Sequence, residues 1–265
     1  MTTAPLIPEQ RQERVLAALR RDGIVSIRSL AATLDVSHMT IRRDISQLEA
    51  DGKVIGVKGG VRLVESDAGG HGAPLDHAAR VGLELPRKRV IAKAAARQVE
   101  DGSVIYLDAG TTSHCMVPLL AEVKELTVVT NDFLIAASLF RMPAIAVIHT
   151  GGNVDPAAGC AQGMLAAETV SRLNIDTYFI STAGWSIAKG VSSPSSDKAL
   201  LKEAVYAAST RSVLVADSTK YGASSMVKVF ALDRLDLVIT DSGLPRETAD
   251  DLRQLGIDLE LAPLP

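Results

Sequence analysis

At 265 residues, 47% hydrophobic and 22% charged, the chain can bury a full core as one large domain or two unequal ones, and no apolar stretch approaches the length of a membrane span. Aromatic residues make up only 3%, which argues against a nucleic-acid binder built on base stacking. The net charge of -3 conceals an asymmetry: residues 1–64 hold ten Lys/Arg and seven Asp/Glu, a net +3, while the remainder holds 18 and 24, a net -6, so only the front is suited to DNA.

Pro8 to Arg21 reads as a first helix, with Val15, Leu16 and Leu19 as its apolar stripe and Asp22-Gly23 as its stop. Ile24 to Ile27 is a short extended piece. A second helix starts at Ser26 or Ile27 and turns Leu30, Ala31 and Leu34 inward. After the turn Asp35-Val36, Ser37 stands where an N-cap belongs, and a third helix follows to Asp51-Gly52. Its Ile41, Ile45 and Leu48 share one face at i, i+4, i+7. His38, Met39, Thr40, Arg42 and Arg43 are carried forward as the DNA-reading set together with Ser37, because guanidinium forks suit phosphates and guanine edges in a major groove. Lys53 to Val64 looks like two strands about a Gly-rich turn, with Lys53, Lys58 and Arg62 placed to lie along phosphates. Helix, short strand, helix, turn, helix and basic hairpin make a winged helix-turn-helix.

These residues carry a resemblance. Gly23-Ile24-Val25-Ser26-Ile27, Leu30-Ala31, the block Val36 to Asp44, Leu48 and Gly59-Gly60 resemble the DeoR-type bacterial transcriptional repressors. Gly56, where that family often has Arg, and Lys58, where it usually has His, depart from the pattern.

Residues 65–76 are rich in Gly, Ala and Asp without apolar period and read as a flexible linker. His71 and His77 have no third ligand nearby and read as solvent-facing. From 77 to 265 helices alternate with apolar strands. Helices are expected over Arg87–Glu100, Thr112–Val123, Asp132–Phe140, Met164–Leu173, Asp197–Ser209 and Arg246–Leu255. Strands are expected at 104–107, 126–129, 145–148, 177–180, 213–216 and 237–239, with 258–261 at the end. Near-continuous apolar strands separated by helices imply a mostly parallel sheet covered on both faces, with ligands beyond the carboxyl ends of the strands.

The residues just after those strands are small, hydroxylic or glycine. The candidate effector set is Asp108, Gly110, Thr111, Thr112, Ser113, Thr130, Asn131, Gly151, Gly152, Gly184, Asp197, Asp217 and Lys220, with Lys202 on the helix after the long loop. Gly110-Thr111-Thr112-Ser113 opens a helix, whose free N–H groups, hydroxyls and dipole suit an anion, most plausibly a phosphate. Lys202 and Lys220 are the candidate counter-charges, and the carboxylates Asp108, Asp197, Asp217 and Asp241 suit sugar hydroxyls.

The resemblance extends here. Leu107 to Thr112, Val129 to Asn131, Gly151-Gly152, Gly190-Val191-Ser192, Asp217 to Lys220 and Thr240-Asp241 look like the effector domain of the same repressors, which is similar in fold to ribose-5-phosphate isomerase. Asp155 lies where the family often has Arg, and Lys198 stands where an acid is common. The fold class implied is α/β, a small winged helix-turn-helix domain (1–64) followed by a larger α/β effector and oligomerisation domain (77–265). The function implied is a regulator of a carbohydrate-catabolism operon, a repressor in the family's manner, acting on operator DNA as a homo-oligomer (dimer or tetramer) under a phosphorylated sugar or sugar-acid metabolite.

The rival is a sugar-phosphate isomerase-like enzyme. Those isomerases carry an acidic cluster for proton abstraction, and the nearest stretch, Thr182 to Ser186, has no carboxylate. Asp217 and Asp241 stay open as bases, yet no catalytic residue is assigned. Cys115 and Cys160 form no CxxC pair, which excludes a zinc framework and suits a reducing cytosol; no metal or cofactor is implied. The start, Met1 to Pro5, shows no basic segment before an apolar run, so no signal peptide is expected, and the place of work is cytoplasmic.

Overall fold

The structure is a computed structural model that describes residues 7–22, 24–51, 53–57, 60–63 and 80–265. The chain forms two compact units, Met1–Glu65 and Ser66–Pro265. Lys58 and the expected linker over 65–76 lie outside the described residues, as do His71, His77 and the side chain of Arg62.

The first unit runs α1 (Pro8–Asp22), β1 (Ile24–Val25), α2 (Ile27–Leu34), α3 (His38–Ala50), β2 (Val54–Val57) and β3 (Gly60–Leu63). The strands form an antiparallel sheet in the order β1-β3-β2. Ser26 caps α2 by accepting from the Ser29 N–H. Asp35, left-handed at φ 51°, ends that helix and lets the Val36 N–H reach the Ala31 carbonyl. The core gathers Val15 and Leu19 of α1, Leu30 and Ala31 of α2, Ile41, Ile45 and Leu48 of α3, and Val54 and Val61 of the hairpin. An ion pair inside this unit fixes α3 against α1. Arg11 donates through Nε and Nη2 to the two carboxylate oxygens of Asp44, at 2.5 and 2.9 Å, and Asp44 is buried.

The second unit begins with α4 (Leu85–Ala96) and β4 (Val104–Leu107), then α5 (Thr111–His114) and a 3-10 turn at Val117–Leu120. Next come β5 (Thr127–Thr130), α6 (Phe133–Leu139), β6 (Ala146–His149), β7 (Asn153–Asp155), β8 (Cys160–Gln162), α7 (Met164–Val170) and β9 (Ile175–Ile180). The chain closes with β10 (Gly184–Ser186), β11 (Gly190–Ser193), α8 (Ser196–Ala207), β12 (Ser209–Val215), β13 (Val227–Phe230), β14 (Leu237–Asp241), α9 (Arg246–Gln254) and β15 (Leu259–Ala262). Seven strands make one parallel sheet in the order β15-β14-β12-β9-β4-β5-β6. One face packs on α4 and α6 through Ile91, Ile105, Leu107, Val128, Ile135 and Val215. The other packs on α7, α8 and α9 through Tyr106, Tyr178, Val170, Val205, Leu214 and Leu252. The fold is thus α/β, a winged helix-turn-helix followed by a larger α/β unit.

Two expectations change. The helix expected over Thr112–Val123 is a single α-turn followed by the 3-10 turn. Pro118 accounts for the break: it has no N–H to bond back to residue 114, and its ring would clash with that carbonyl. The loop expected between 180 and 197 instead holds β10 and β11, which pair with β13 in a small antiparallel sheet. Gly190 allows that pairing. Its φ is 69°, and a Cβ there would meet the Phe230 carbonyl oxygen at 2.2 Å.

Candidate functional site

Two sites are built by local chemistry, one in each unit. In the first, Ser37 has extended backbone and accepts from the Thr40 N–H at 3.1 Å, and the two hydroxyls meet at 2.8 Å. Both are therefore committed to the cap. Ile41, Ile45 and Leu48 are buried, which turns His38, Met39, Arg42, Arg43 and Ser46 outward; Met39 is 71% exposed. Neither arginine of that face pairs with a carboxylate among the described residues, so both guanidinium groups are available to an anion. Asp44, one position on, faces back to Arg11. Lys53 is exposed beside Asp51 at 3.7 Å.

In the second unit the sheet order reverses at β4. The chain runs from β4 to β5 and β6 on one side, then crosses to β9 on the other, which makes the β4/β9 boundary the switch point where open α/β sheets bind ligands. Asp108, after β4, organises it. Its Oδ1 accepts from the Ala109 N–H, and its Oδ2 accepts from the Ser181 N–H and pairs with Lys202. Lys202 Nζ also donates to the Ser181 carbonyl at 2.8 Å. Asp108 and Lys202 are both buried, so this is an internal, self-neutralised pair. Lys202 and Asp108, expected as a counter-charge to a ligand and an acceptor for sugar hydroxyls, are thus partners of each other in this structure. Burial first, then the Asp108 charge, drives the Tyr106 and Tyr178 phenols well above their ordinary pKa.

The β5 end is a second clasp. Thr130 Oγ1 donates to the Leu107 carbonyl, and Asn131 accepts from the Ala109 N–H and donates to the Ala161 carbonyl. Asp132, fully buried, caps α6 by accepting from Leu134 and Ile135, and its second oxygen accepts from the Gly110 N–H at 3.1 Å. The Gly110 N–H is thus already taken. Downstream, the hydroxyls of Thr112 and Ser113 are buried with no hydrogen-bond partner among the described residues.

The β12 and β14 ends converge through Arg87 of α4, which donates to Asp241 and Ser218. Asp241 also accepts from Ser218 and Gly243. Burial works to raise its pKa, but these bonds and the Arg87 charge outweigh burial and hold it low. Asp217 is buried and accepts from the Thr219 hydroxyl. Lys220 donates to the Thr182 carbonyl at 2.9 Å and lies 4.0 Å from Asp217. Three of the four carboxylates read as partners for sugar hydroxyls are therefore occupied within the fold. Asp197, half-buried on the first turn of α8, has no hydrogen bond to its carboxylate among the described residues.

Lys88 was not among the residues singled out from sequence. It is buried on α4, donates to the Arg80 carbonyl at 2.6 Å, and feels the charges of Lys220, Asp217 and Cys115. Burial first and Lys220 second lower its ammonium to about 8. Because α4 packs on α5, Lys88 brings positive charge to the base of the Thr111–His114 turn. The signal was present: Lys88 precedes Ile91 by three on a stripe that is otherwise apolar.

The remaining candidates divide. Gly151 (φ 64°) and Gly152 (φ 113°) turn the chain after β6, and a Cβ on Gly152 would meet the Gln162 carbonyl at 2.7 Å. Gly184 is buried with a Cβ position 2.6 Å from the Ala223 backbone, so its smallness serves close packing there. The two departures from the family pattern meet each other: Lys198 Nζ lies 2.7 Å from Asp155, joining the β7–β8 hairpin to α8 by an ion pair.

Comparison with known proteins covers both units. Residues 11–67 match the DeoR-like helix-turn-helix domain, and residues 84–242 match the DeoR C terminal sensor domain. The chain is 40% identical over 257 residues to the uncharacterized HTH-type transcriptional regulator YgbI of Escherichia coli (strain K12), covering 97% of this chain and 99% of that protein. It is 27% identical over 252 residues to a putative aga operon transcriptional repressor of Escherichia coli O157:H7, covering 95% and 93%. Among solved structures, ribose 5-phosphate isomerase A of Methanocaldococcus jannaschii aligns at TM-score 0.38 and 16% identity, over 51% of this chain and 53% of that one.

Proposed function

The chain belongs to the DeoR family of helix-turn-helix transcriptional regulators, a DNA-binding regulator rather than an enzyme, and from that premise we propose that it represses a carbohydrate-catabolism operon under the control of a phosphorylated sugar or sugar-acid. In this reading the unit up to residue 64 reads operator DNA, and the unit from 77 senses the metabolite and pairs the subunits as a homo-oligomer. A relative named as a putative aga operon transcriptional repressor supports the reading as an operon repressor. Operator DNA puts the place of work in the cytoplasm; no helix among the described residues is long and apolar enough to cross a membrane.

What supports the phosphate reading is the helix that carries Lys88, whose charge acts together with that of Lys220, packed on a turn whose Thr112 and Ser113 hydroxyls are buried with no partner among the described residues. Two buried hydroxyls without bonds are costly, and an anion that accepts from them while facing two ammonium groups offsets that cost. A single α-turn has little dipole of its own, so charge, not the helix start, dominates here. Asp197 is the carboxylate left to accept from a sugar hydroxyl.

Thr111→Leu places a bulky apolar group at the turn. It should abolish the effect of the phosphorylated effector on operator affinity while the ligand-free variant binds operator like the wild type. A variant that still responds fully, or a free sugar acting as well as its phosphate, overturns the phosphate reading. On the DNA side, Arg42→Ala and Arg43→Ala are each expected to cost about 1–3 kcal/mol on the operator if they read guanine edges. A residue touching only phosphate weakens all sequences alike and lowers the salt slope. Fluorescence anisotropy on operator and scrambled duplexes separates the two, and unchanged affinity of the double variant removes α3 from its role.

A further inference from the structure

The geometry points to the face formed by α6 and the β6 edge as the surface on which a second copy of this chain docks. This rests on the homo-oligomer reading above and deepens it by giving the interface a place.

The seven residues of α6, Phe133-Leu134-Ile135-Ala136-Ala137-Ser138-Leu139, contain no charge, and Phe140 follows directly. Only Ile135 and Leu139 are buried on the sheet; Phe133, Leu134, Ala137 and Phe140 face outward, and Phe140 is 88% exposed. Its one polar side chain, Ser138, meets His114 Nε2 at 2.8 Å, and a helix otherwise apolar all round is ordinarily buried on every side. Beside it, β6 ends the seven-stranded sheet, with no strand on its outer edge among the described residues. Its sequence, Ala146-Val147-Ile148-His149, carries no Lys, Glu or Pro to discourage pairing. The opposite edge is guarded: β15 carries Glu260, paired with Arg97 at 2.5 Å. One edge is charged and the other is not, and the apolar helix stands beside the uncharged one.

The size and pattern of this face suit a second copy. With Leu119 of the 3-10 turn and Val147 of β6, the exposed parts of these side chains amount to roughly 500–600 Å², at the upper end for a monomer's largest apolar patch. The free β6 edge brings it toward the roughly 800 Å² per partner of a standard interface. Phe133, Ala137 and Phe140 lie at i, i+4, i+7. Crossing at Ala137, an antiparallel copy sets each Phe133 against the other copy's Phe140, with the small residue allowing close approach. The same two-fold pairs β6 with β6 antiparallel. A twofold pair is also what two helix-turn-helix units need to span adjacent half-sites.

Sedimentation equilibrium of the full-length chain tests this, with Phe140→Glu and Val147→Lys as separate variants. Leu255→Glu, exposed at the end of α9, is the control. The wild type is expected to self-associate, each test variant at least about 30-fold more weakly, the scale of a central anchor. Thermal melts of these surface variants should match the wild type, and the control should assemble normally. A wild type that assembles while both variants assemble equally well overturns this interface and leaves the homo-oligomer reading standing. A wild type that is monomeric both free and on operator DNA overturns both.

Discussion

Asp44→Ala should cost the amino-terminal unit about 3–5 kcal/mol, the range for removing one partner of a buried ion pair. The carboxylate meets Arg11 at two points and is buried between α1 and α3. A unit of this size has only a few kcal/mol of stability to lose. The unit should therefore melt in a separate, earlier transition, and operator binding should fail at growth temperature. The carboxyl-terminal unit should keep its melting point and its stabilisation by ligand. Circular dichroism melts of the full chain, with and without effector, resolve the two transitions. A single unshifted melt with normal operator affinity contradicts the structural role of the pair.

Lys88→Met should make the protein insensitive to its effector without weakening the fold. Loss of a charge-assisted bond to a phosphate costs about 1.5–3 kcal/mol, roughly 10–150-fold in affinity. In the free protein the Lys88 pKa is lowered to about 8 from an ordinary 10.5, so between those values the unfolded chain binds the more protons and stability rises with pH. Below about 8 the buried ammonium opposes folding, and Met removes that penalty. The variant should melt at or above the wild-type temperature at pH 7, whereas a merely structural lysine would leave the protein less stable. The same group sets a pH profile. Wild-type affinity for the phosphorylated ligand should fall by about fivefold between pH 8 and pH 9, as Lys88, with its pKa at about 8, loses its proton. Phosphate itself is fully ionised there. In Lys88→Met the profile should be flat, and isothermal titration at both pH values distinguishes the cases.

What could be read in the sequence follows how local its cause was. The third helix was legible because the N-cap Ser37, the apolar stripe Ile41, Ile45 and Leu48 and the arginines lie within one short window, where a 3.6-residue period decides which side chains face out. The ring of hydroxyls and glycines was legible because apolar strand runs mark their own ends. The pairing of Asp108 with Lys202 was not, because it joins residues 94 apart across a topological reversal that no local pattern announces. Arg11 and Asp44 hid for the same reason: they lie 33 residues apart on different helices. The sheet of β10, β11 and β13 was missed because Gly184–Ser186 and Gly190–Ser193 are too short and too small to show alternation. The break after α5 was legible in principle, through Pro118, but the apolar spacing from Thr112 onward mimics a continuous helix.

The central claim of the proposed function is that a phosphorylated metabolite and operator DNA bind to different units of one molecule and influence each other. Such coupling needs the ligand to bind the DNA-competent and incompetent arrangements unequally, with about 1–3 kcal/mol as the usual scale. The direct measurement is operator affinity of the full chain by fluorescence anisotropy, on a duplex selected from a random pool. It is titrated with three- to six-carbon sugar and sugar-acid phosphates, and in parallel with the dephosphorylated form of each. The account predicts that a phosphorylated compound shifts the operator dissociation constant by roughly 5–150-fold, that its free form does not, and that Lys88→Met removes the shift. A dissociation constant unmoved by every phosphorylated compound, or moved equally by the free forms, contradicts it.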